Sequence, residues 1–141
     1  MSYISVIGAG SWGTTLASLL AEKGYDVCLW SHEEEVAEEI RERRRNSAYL
    51  SDVVLPAGLK ATHDLEEAVK KARYILNVVP TQFTRSVFAG AAQFIREGAV
   101  IVSASKGTFR DWRRLNSNGL HWWPRRNNWA STPISSPRAW A

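Results

Sequence analysis

Six residues near the N-terminus, Gly8-Ala9-Gly10-Ser11-Trp12-Gly13, leave this chain few folds to choose from. The pattern is G-x-G-x-x-G, which carries little weight by itself. Its surroundings give it weight. Tyr3-Ile4-Ser5-Val6-Ile7 is short, rich in β-branched residues and bounded by Gly8, so it reads as a strand buried on both faces. From Ser11 to Lys23, Leu16, Leu19 and Leu20 recur at helical spacing, and Gly24 ends the run. A glycine loop that leaves a strand and opens a helix, inside a unit of about 30 residues, has a physical rationale. Gly8 permits a tight turn. Gly10, without a side chain, lets a pyrophosphate approach the backbone. Gly13 lets the helix pack on the strands. N–H groups from Ser11 onward then point at the phosphates, and the helix dipole favours their charge.

The rest of the chain continues the alternation. Asp26-Val27-Cys28-Leu29-Trp30 is a second strand. Residues 33–44 form a helix with Val36, Ala37 and Ile40 on one face. Its acids Glu33, Glu34 and Glu35 start it and its bases Arg43, Arg44 and Arg45 end it, the polarity a helix dipole favours, so this charge run reads as a solvated face. Residues 46–58 are a loop closed by Pro56-Ala57-Gly58. Residues 59–62 make a short strand. Asp64 caps a helix over 65–72, and 74–79 is a strand closed by Pro80. Thr81 caps a helix over 82–96 that buries Phe83, Val87, Phe88 and Phe94, and Gly98 ends it. Residues 99–104 are the last strand, leading into Ser105-Lys106-Gly107. Strands joined by crossover helices are largely parallel and covered on both faces. The expected fold is α/β: a Rossmann-type, doubly wound, mostly parallel sheet of about five strands over residues 1–107.

Composition changes at that point. Residues 108–141 hold six Arg, one Asp, no Lys and no Glu, with five of the seven Trp, while residues 1–107 carry a formal charge of −1. The net charge of +4 therefore comes from the tail, which rules out a uniformly basic nucleic-acid-binding domain. Pro124, Pro133 and Pro137 interrupt every candidate element there, so the tail is expected to be irregular. Three origins stay open for it: an out-of-frame continuation, a rearranged or vector-derived end, or a Trp- and Arg-rich binding arm. Cys28, the single cysteine, excludes an intrachain disulfide and reads as a buried small hydrophobe. With no signal segment and no membrane-length apolar run, a cytoplasmic protein without membrane insertion is expected. His63 and His121 lack partners at metal-ligand spacing, so no metal is expected.

The end of the second strand bears on the choice of dinucleotide. NAD enzymes usually place Asp or Glu there to accept from the ribose 2′-hydroxyl. Here the strand ends Leu29-Trp30-Ser31-His32, and the acids begin at Glu33. Ser31 and His32 can donate to a 2′-phosphate, so NADP(H) is expected, alone or beside NAD(H).

These segments resemble the N-terminal domain of the bacterial NAD(P)-dependent glycerol-3-phosphate dehydrogenases. The resemblance is carried by Gly8-Ala9-Gly10-Ser11-Trp12-Gly13-Thr14, by Leu29-Trp30-Ser31-His32, by the loop from Asn46 through Tyr49 and Leu50 to Pro56, and by Val78-Val79-Pro80-Thr81 with Ser103-Ala104-Ser105-Lys106-Gly107. It covers residues 3–107. It implies that Ser11, Trp12 and His32 contact the nicotinamide cofactor and that Lys106 lies where cofactor meets the substrate phosphate. It implies an enzyme interconverting glycerol 3-phosphate and dihydroxyacetone phosphate for phospholipid synthesis. It places the proton-handling lysine in a helical domain that nothing here matches, so this chain is expected to be inactive alone. The family continues past its lysine–glycine pair with isoleucine and glutamate, whereas this chain has Thr108-Phe109. An apolar surface that would face such a domain is expected to favour a homodimer. The competing reading is a free-standing nucleotide-binding sensor whose basic tail docks a partner.

Overall fold

A computed structural model describes residues 3–105. The expectations for Lys106 and for the 108–141 tail fall outside the described residues. Every expected strand forms, and all five pair in parallel. In chain order the elements are β1 (Tyr3–Ile7), α1 (Ser11–Glu22), β2 (Asp26–Trp30), α2 (Glu34–Arg43), β3 (Leu59–Thr62), α3 (Leu65–Val69), β4 (Tyr74–Asn77), α4 (Thr81–Ala91) with a 3-10 turn at Ala92–Phe94, and β5 (Val100–Ser103). The sheet order is β3-β2-β1-β4-β5. Ile7 at the end of β1 lies beside Trp30 on one side and Asn77 on the other. The carboxyl ends of the three central strands are therefore level, and the loops leaving them converge.

Side chains alternate across the sheet into two cores. Val6, Val27 and Leu29 pack with Ala17 of α1 and Val36, Ala37 and Ile40 of α2. On the opposite face Ile7, Trp30 and Ile75 pack with Ala68 and Val69 of α3 and Phe88 and Ala91 of α4. The first two crossovers thus cover one face and the last two the other, the doubly wound arrangement.

Several local details differ from the sequence expectation. The leucines of α1 are not its buried face: Gly13, Thr14, Ala17 and Ser18 are, and Leu19 is half exposed. The helix start is pressed so closely on the strand end that only small residues fit beneath it, and the leucines stand at the margins. α3 stops at Val69 rather than Ala72, because the Arg73 N–H goes to the Tyr3 carbonyl at 3.0 Å and the chain must enter the sheet. β4 stops at Asn77 rather than Val79. The fully buried Asn77 side chain accepts from the Val79 N–H at 3.2 Å, a local turn that peels the chain off the sheet before Pro80. Thr81 is the first residue of α4, not its cap. Phe83, expected in the core, is 55 % exposed. The stripe that α4 buries is Thr84, Phe88 and Ala91, and Phe83 lies about 100° from Thr84 round the helix. No helix among the described residues is long and apolar enough to cross a membrane.

Candidate functional site

Reading outward from β1, the sheet adds β2 and β3 on one side and β4 and β5 on the other. The loops after β1 and β4 therefore diverge and leave a crevice at the carboxyl edge, where open α/β sheets take ligands. A cleft of about 600 Å³ opens there, within the range of small-molecule sites. Its walls are the glycine loop 8–13, the 30–33 segment after β2, Tyr49, the 78–80 segment after β4, and Phe83, Ser86 and Val87 of α4. Seven of the eight residues singled out from sequence, Gly8, Gly10, Ser11, Trp12, Gly13, Ser31 and His32, line this one cleft. Lys106, the eighth, lies outside the described residues. A more open groove runs along α2, but Glu35, Glu38, Glu39 and Glu42 line it, and that much negative charge repels a phosphate.

The three glycines differ in what surrounds them. A Cβ on Gly13 would lie 1.8 Å from the Gly8 carbonyl oxygen. Gly8 has φ +117°, and a Cβ there would lie 3.0 Å from the Val78 carbonyl carbon. Both are needed to bring α1, β1 and β4 together. Gly10 has φ −70°, and a Cβ there would meet nothing within 4 Å. Its emptiness serves nothing in the fold itself. It leaves room above the first turn of α1, where no side chain caps the N–H groups of Ser11, Trp12 and Gly13. An anion is the natural occupant of such a place.

At the tip of β2 the chemistry is mixed. Ser31 is buried, and its hydroxyl oxygen accepts from the Glu33 N–H at 3.1 Å. His32 is exposed, its ring 6.1 Å from that of Trp30. The Glu33 carboxylate also lines the cleft, where it accepts from the Tyr49 hydroxyl at 3.0 and 3.2 Å. Tyr49 in turn accepts the Ser11 hydroxyl proton at its main-chain carbonyl, at 2.6 Å. The Glu33 hydrogen bond and charge push the Tyr49 phenol up, which keeps it a donor near neutrality. On the β4 side Val79, Pro80 and Phe83 form an apolar wall, with Trp12, 47 % exposed, beside the glycine loop.

Glu33, Tyr49 and Phe83 were not among the residues foreseen. Glu33 lies past the strand tip, and Phe83 fits a core stripe as readily as a cleft wall. Tyr49 sits 38 positions from Ser11, in a loop whose only mark in the sequence was family resemblance. Cys28 is buried in mid-strand, where burial pushes its thiol up and keeps it unreactive.

Residues 3–121 match the family described as NAD-dependent glycerol-3-phosphate dehydrogenase N-terminus. The chain belongs to this family. Among curated relatives, glycerol-3-phosphate dehydrogenase [NAD(P)+] of Geobacter sp. (strain M21) is 51% identical over 104 residues, covering 74% of this chain and 31% of the relative. The Bacillus licheniformis enzyme of the same name is 47% identical over 107 residues, covering 76% and 31%. The crystal structure of glycerol-3-phosphate dehydrogenase from Coxiella burnetii superposes with a TM-score of 0.74 at 35% identity, covering 82% of this chain and 36% of that one. The chain thus spans about a third of the length of the relatives it matches. The family match runs beyond Gly107, so Lys106 lies inside the matched region. Membership brings with it an NAD(P)-binding domain on a Rossmann-like sheet.

Proposed function

We propose that the cleft at the carboxyl edge of β1, β2 and β4 holds NADP(H) or NAD(H), and that the whole protein interconverts glycerol 3-phosphate and dihydroxyacetone phosphate. The observation that carries the reading is Gly10: space kept open above an uncapped helix start, inside a family of NAD(P) enzymes. The residues present fit the cofactor. The N–H groups of Ser11, Trp12 and Gly13 would take the diphosphate, and the α1 dipole would oppose its charge. Ser31, His32 and Glu33 would meet the adenosine ribose: the Glu33 carboxylate would accept from a 2′-hydroxyl and repel a 2′-phosphate, and His32 would favour the 2′-phosphate. Trp12, Pro80 and Phe83 would wall the rest of the cleft and exclude water. When bound, the cofactor supplies or accepts the hydride. Lys106, an ammonium just past β5, would meet the substrate phosphate as a compact positive charge.

Hydride transfer also needs the substrate carbon held against the nicotinamide and a group to handle the hydroxyl proton. We assign that group to the part of the longer relatives that this chain does not span. The 141-residue chain by itself, with residues 1–107 as its cofactor domain and 108–141 as an appended segment, therefore binds cofactor with little or no turnover. We place its work in the cytoplasm, in supplying glycerol phosphate to phospholipid synthesis. The partly exposed β5 edge is the surface through which it would form a homodimer.

The test is calorimetric titration of the monodisperse chain with NADPH and then NADH. Saturable binding that disappears in Gly10→Val is expected. A folded wild-type chain that binds neither coenzyme overturns the reading. For His32, the His32→Ala variant should lose NADPH affinity relative to NADH, and an unchanged ratio removes it from the site. Cofactor oxidation that depends on dihydroxyacetone phosphate, catalysed by the pure chain, would refute its inactivity.

A further inference from the structure

The two ends of the cleft belong to different crossovers. The glycine loop follows β1 and the ribose end follows β2; the Gly8 N–H reaches the Trp30 carbonyl at 3.1 Å, but no side chain of one end holds the other directly. A third segment joins them. It is the turn 46–50 in the long connection between α2 and β3, closed by the Tyr49 and Leu50 N–H groups on the Asn46 carbonyl at 3.2 and 2.8 Å. Ser47 ties it to Glu39 of α2, and one buried side chain ties it to the glycine loop. Asn46 is fully buried, and its amide nitrogen donates to the Ala9 carbonyl at 2.9 Å and to the Thr14 hydroxyl at 2.8 Å. Thr14 passes its own proton to the same Ala9 carbonyl at 3.2 Å. Turning the amide over would set its oxygen against the Ala9 carbonyl, so its orientation is decided by chemistry.

The amide oxygen of Asn46 is buried with no hydrogen-bond partner. An apolar side chain would fill this place without burying an unmet acceptor. Beside the exposed link from the Ser11 hydroxyl to the Tyr49 carbonyl, what the amide adds is a buried link between the turn and the glycine loop. That link sets Tyr49 across the rim, its carbonyl on the Ser11 hydroxyl and its own hydroxyl on Glu33.

We propose that Asn46 is a positioning residue for the cofactor, pinning the 46–50 turn to the glycine loop so that Ser11 and Glu33 are held apart at the spacing the dinucleotide requires. The proposal rests on the cofactor reading above. It has a consequence for Ser11. A hydroxyl has one proton, a phosphate only accepts, and the Ser11 proton is already given to Tyr49. Ser11 therefore meets the diphosphate through its main-chain N–H, and its side chain serves as the tether of the turn.

Asn46 and Ser11 then act on the cofactor through one device, and their losses are not independent. NADPH and NADH dissociation constants are measured by calorimetry on the full 141-residue chain for wild type, Asn46→Ala, Ser11→Ala and the double variant. Each single change should weaken binding by roughly tenfold, the loss of one hydrogen-bond-sized term. The double variant should be no weaker than the worse single one, because a turn already released has nothing more to lose. Ser11 is exposed, so Ser11→Ala keeps the fold and carries the test if Asn46→Ala does not fold. Single variants that bind as wild type does, or a double variant whose loss is the product of the two, overturn the proposal and leave the cofactor reading intact. A wild-type chain that binds neither coenzyme removes both.

Discussion

Among single residues, the glycine loop separates two uses of the same amino acid. Gly13 and Gly8 serve the fold, and Gly10, where a Cβ would meet nothing, is the one we propose for the ligand, which leads to opposite expectations. Gly13→Ala puts a methyl group 1.8 Å from a main-chain oxygen, which cannot be met without moving α1 off the strand. Its urea midpoint should fall by the equivalent of about 3 kcal/mol or more, or the chain should fail to fold. Gly10→Ala meets nothing and has an ordinary φ, so its midpoint should stay within about 1 kcal/mol of wild type while cofactor affinity drops. A Gly10→Ala chain as unstable as Gly13→Ala would mean that the open space above Gly10 belongs to the fold. The sequence motif already suggests this division, and the packing around each glycine gives it distances.

The elements follow rules that operate over a few residues, which is why most were legible in advance. Asp64 accepts from the N–H groups of Glu66 and Glu67 at 2.8 and 3.3 Å, and a cap acts within one turn. Asp64→Ala should destabilise the chain by about 1 kcal/mol, read from thermal or urea unfolding. At the end of α1 the Gly24 N–H reaches the Ala21 carbonyl and the Tyr25 N–H the Leu20 carbonyl, with φ +87° at Gly24. That paired closure is why a glycine there stops the helix. The far end of α2 is tied differently. Glu39 accepts from the side-chain hydroxyl and main-chain N–H of Ser47, and these bonds hold its carboxyl below the usual carboxylate range. A carboxyl whose pKa is lowered by folding stabilises fully above its unfolded value, about 4.3, and loses that contribution as pH falls through the native value. Glu39→Gln should therefore sit below wild type by a constant amount at neutral pH, and the gap should close on acidification below about pH 4. Urea midpoints followed from neutral pH down through that range check this, and a gap that stays constant throughout would detach Glu39 from the turn. Where expectation failed at the ends of α3 and β4, the backbone had been claimed first by another partner: the Tyr3 carbonyl for Arg73, and the buried Asn77 side chain for Val79; α4, expected over 82–96, instead begins at Thr81 and gives way at Ala91 to the 3-10 turn at Ala92–Phe94.

Over the whole molecule, the doubly wound sheet explains why the cleft lies where it does, and among the described residues it ends in two edge strands, β3 and β5. Val100 and Val102, on one face of the edge strand β5, are 47 % and 45 % exposed, and no helix among the described residues covers that face. An exposed apolar edge strand is a template for pairing with another chain. Val102→Lys should leave stability within about 0.5 kcal/mol and shift the chain toward monomer in sedimentation, whereas unchanged self-association would clear this edge. Reading the residues in order was enough for whatever depends on near neighbours: five strands, most helix ends, a glycine loop at a helix start, and the parallel, crossover-linked order those imply. Packing in three dimensions chose which residues share the cleft. Ser11, Glu33 and Tyr49 meet because the sheet levels the ends of β1 and β2 and Asn46 draws a distant turn onto the glycine loop. Hydrogen bonds between residues so far apart in the chain leave no periodicity behind, since their geometry exists only once the two crossovers are packed.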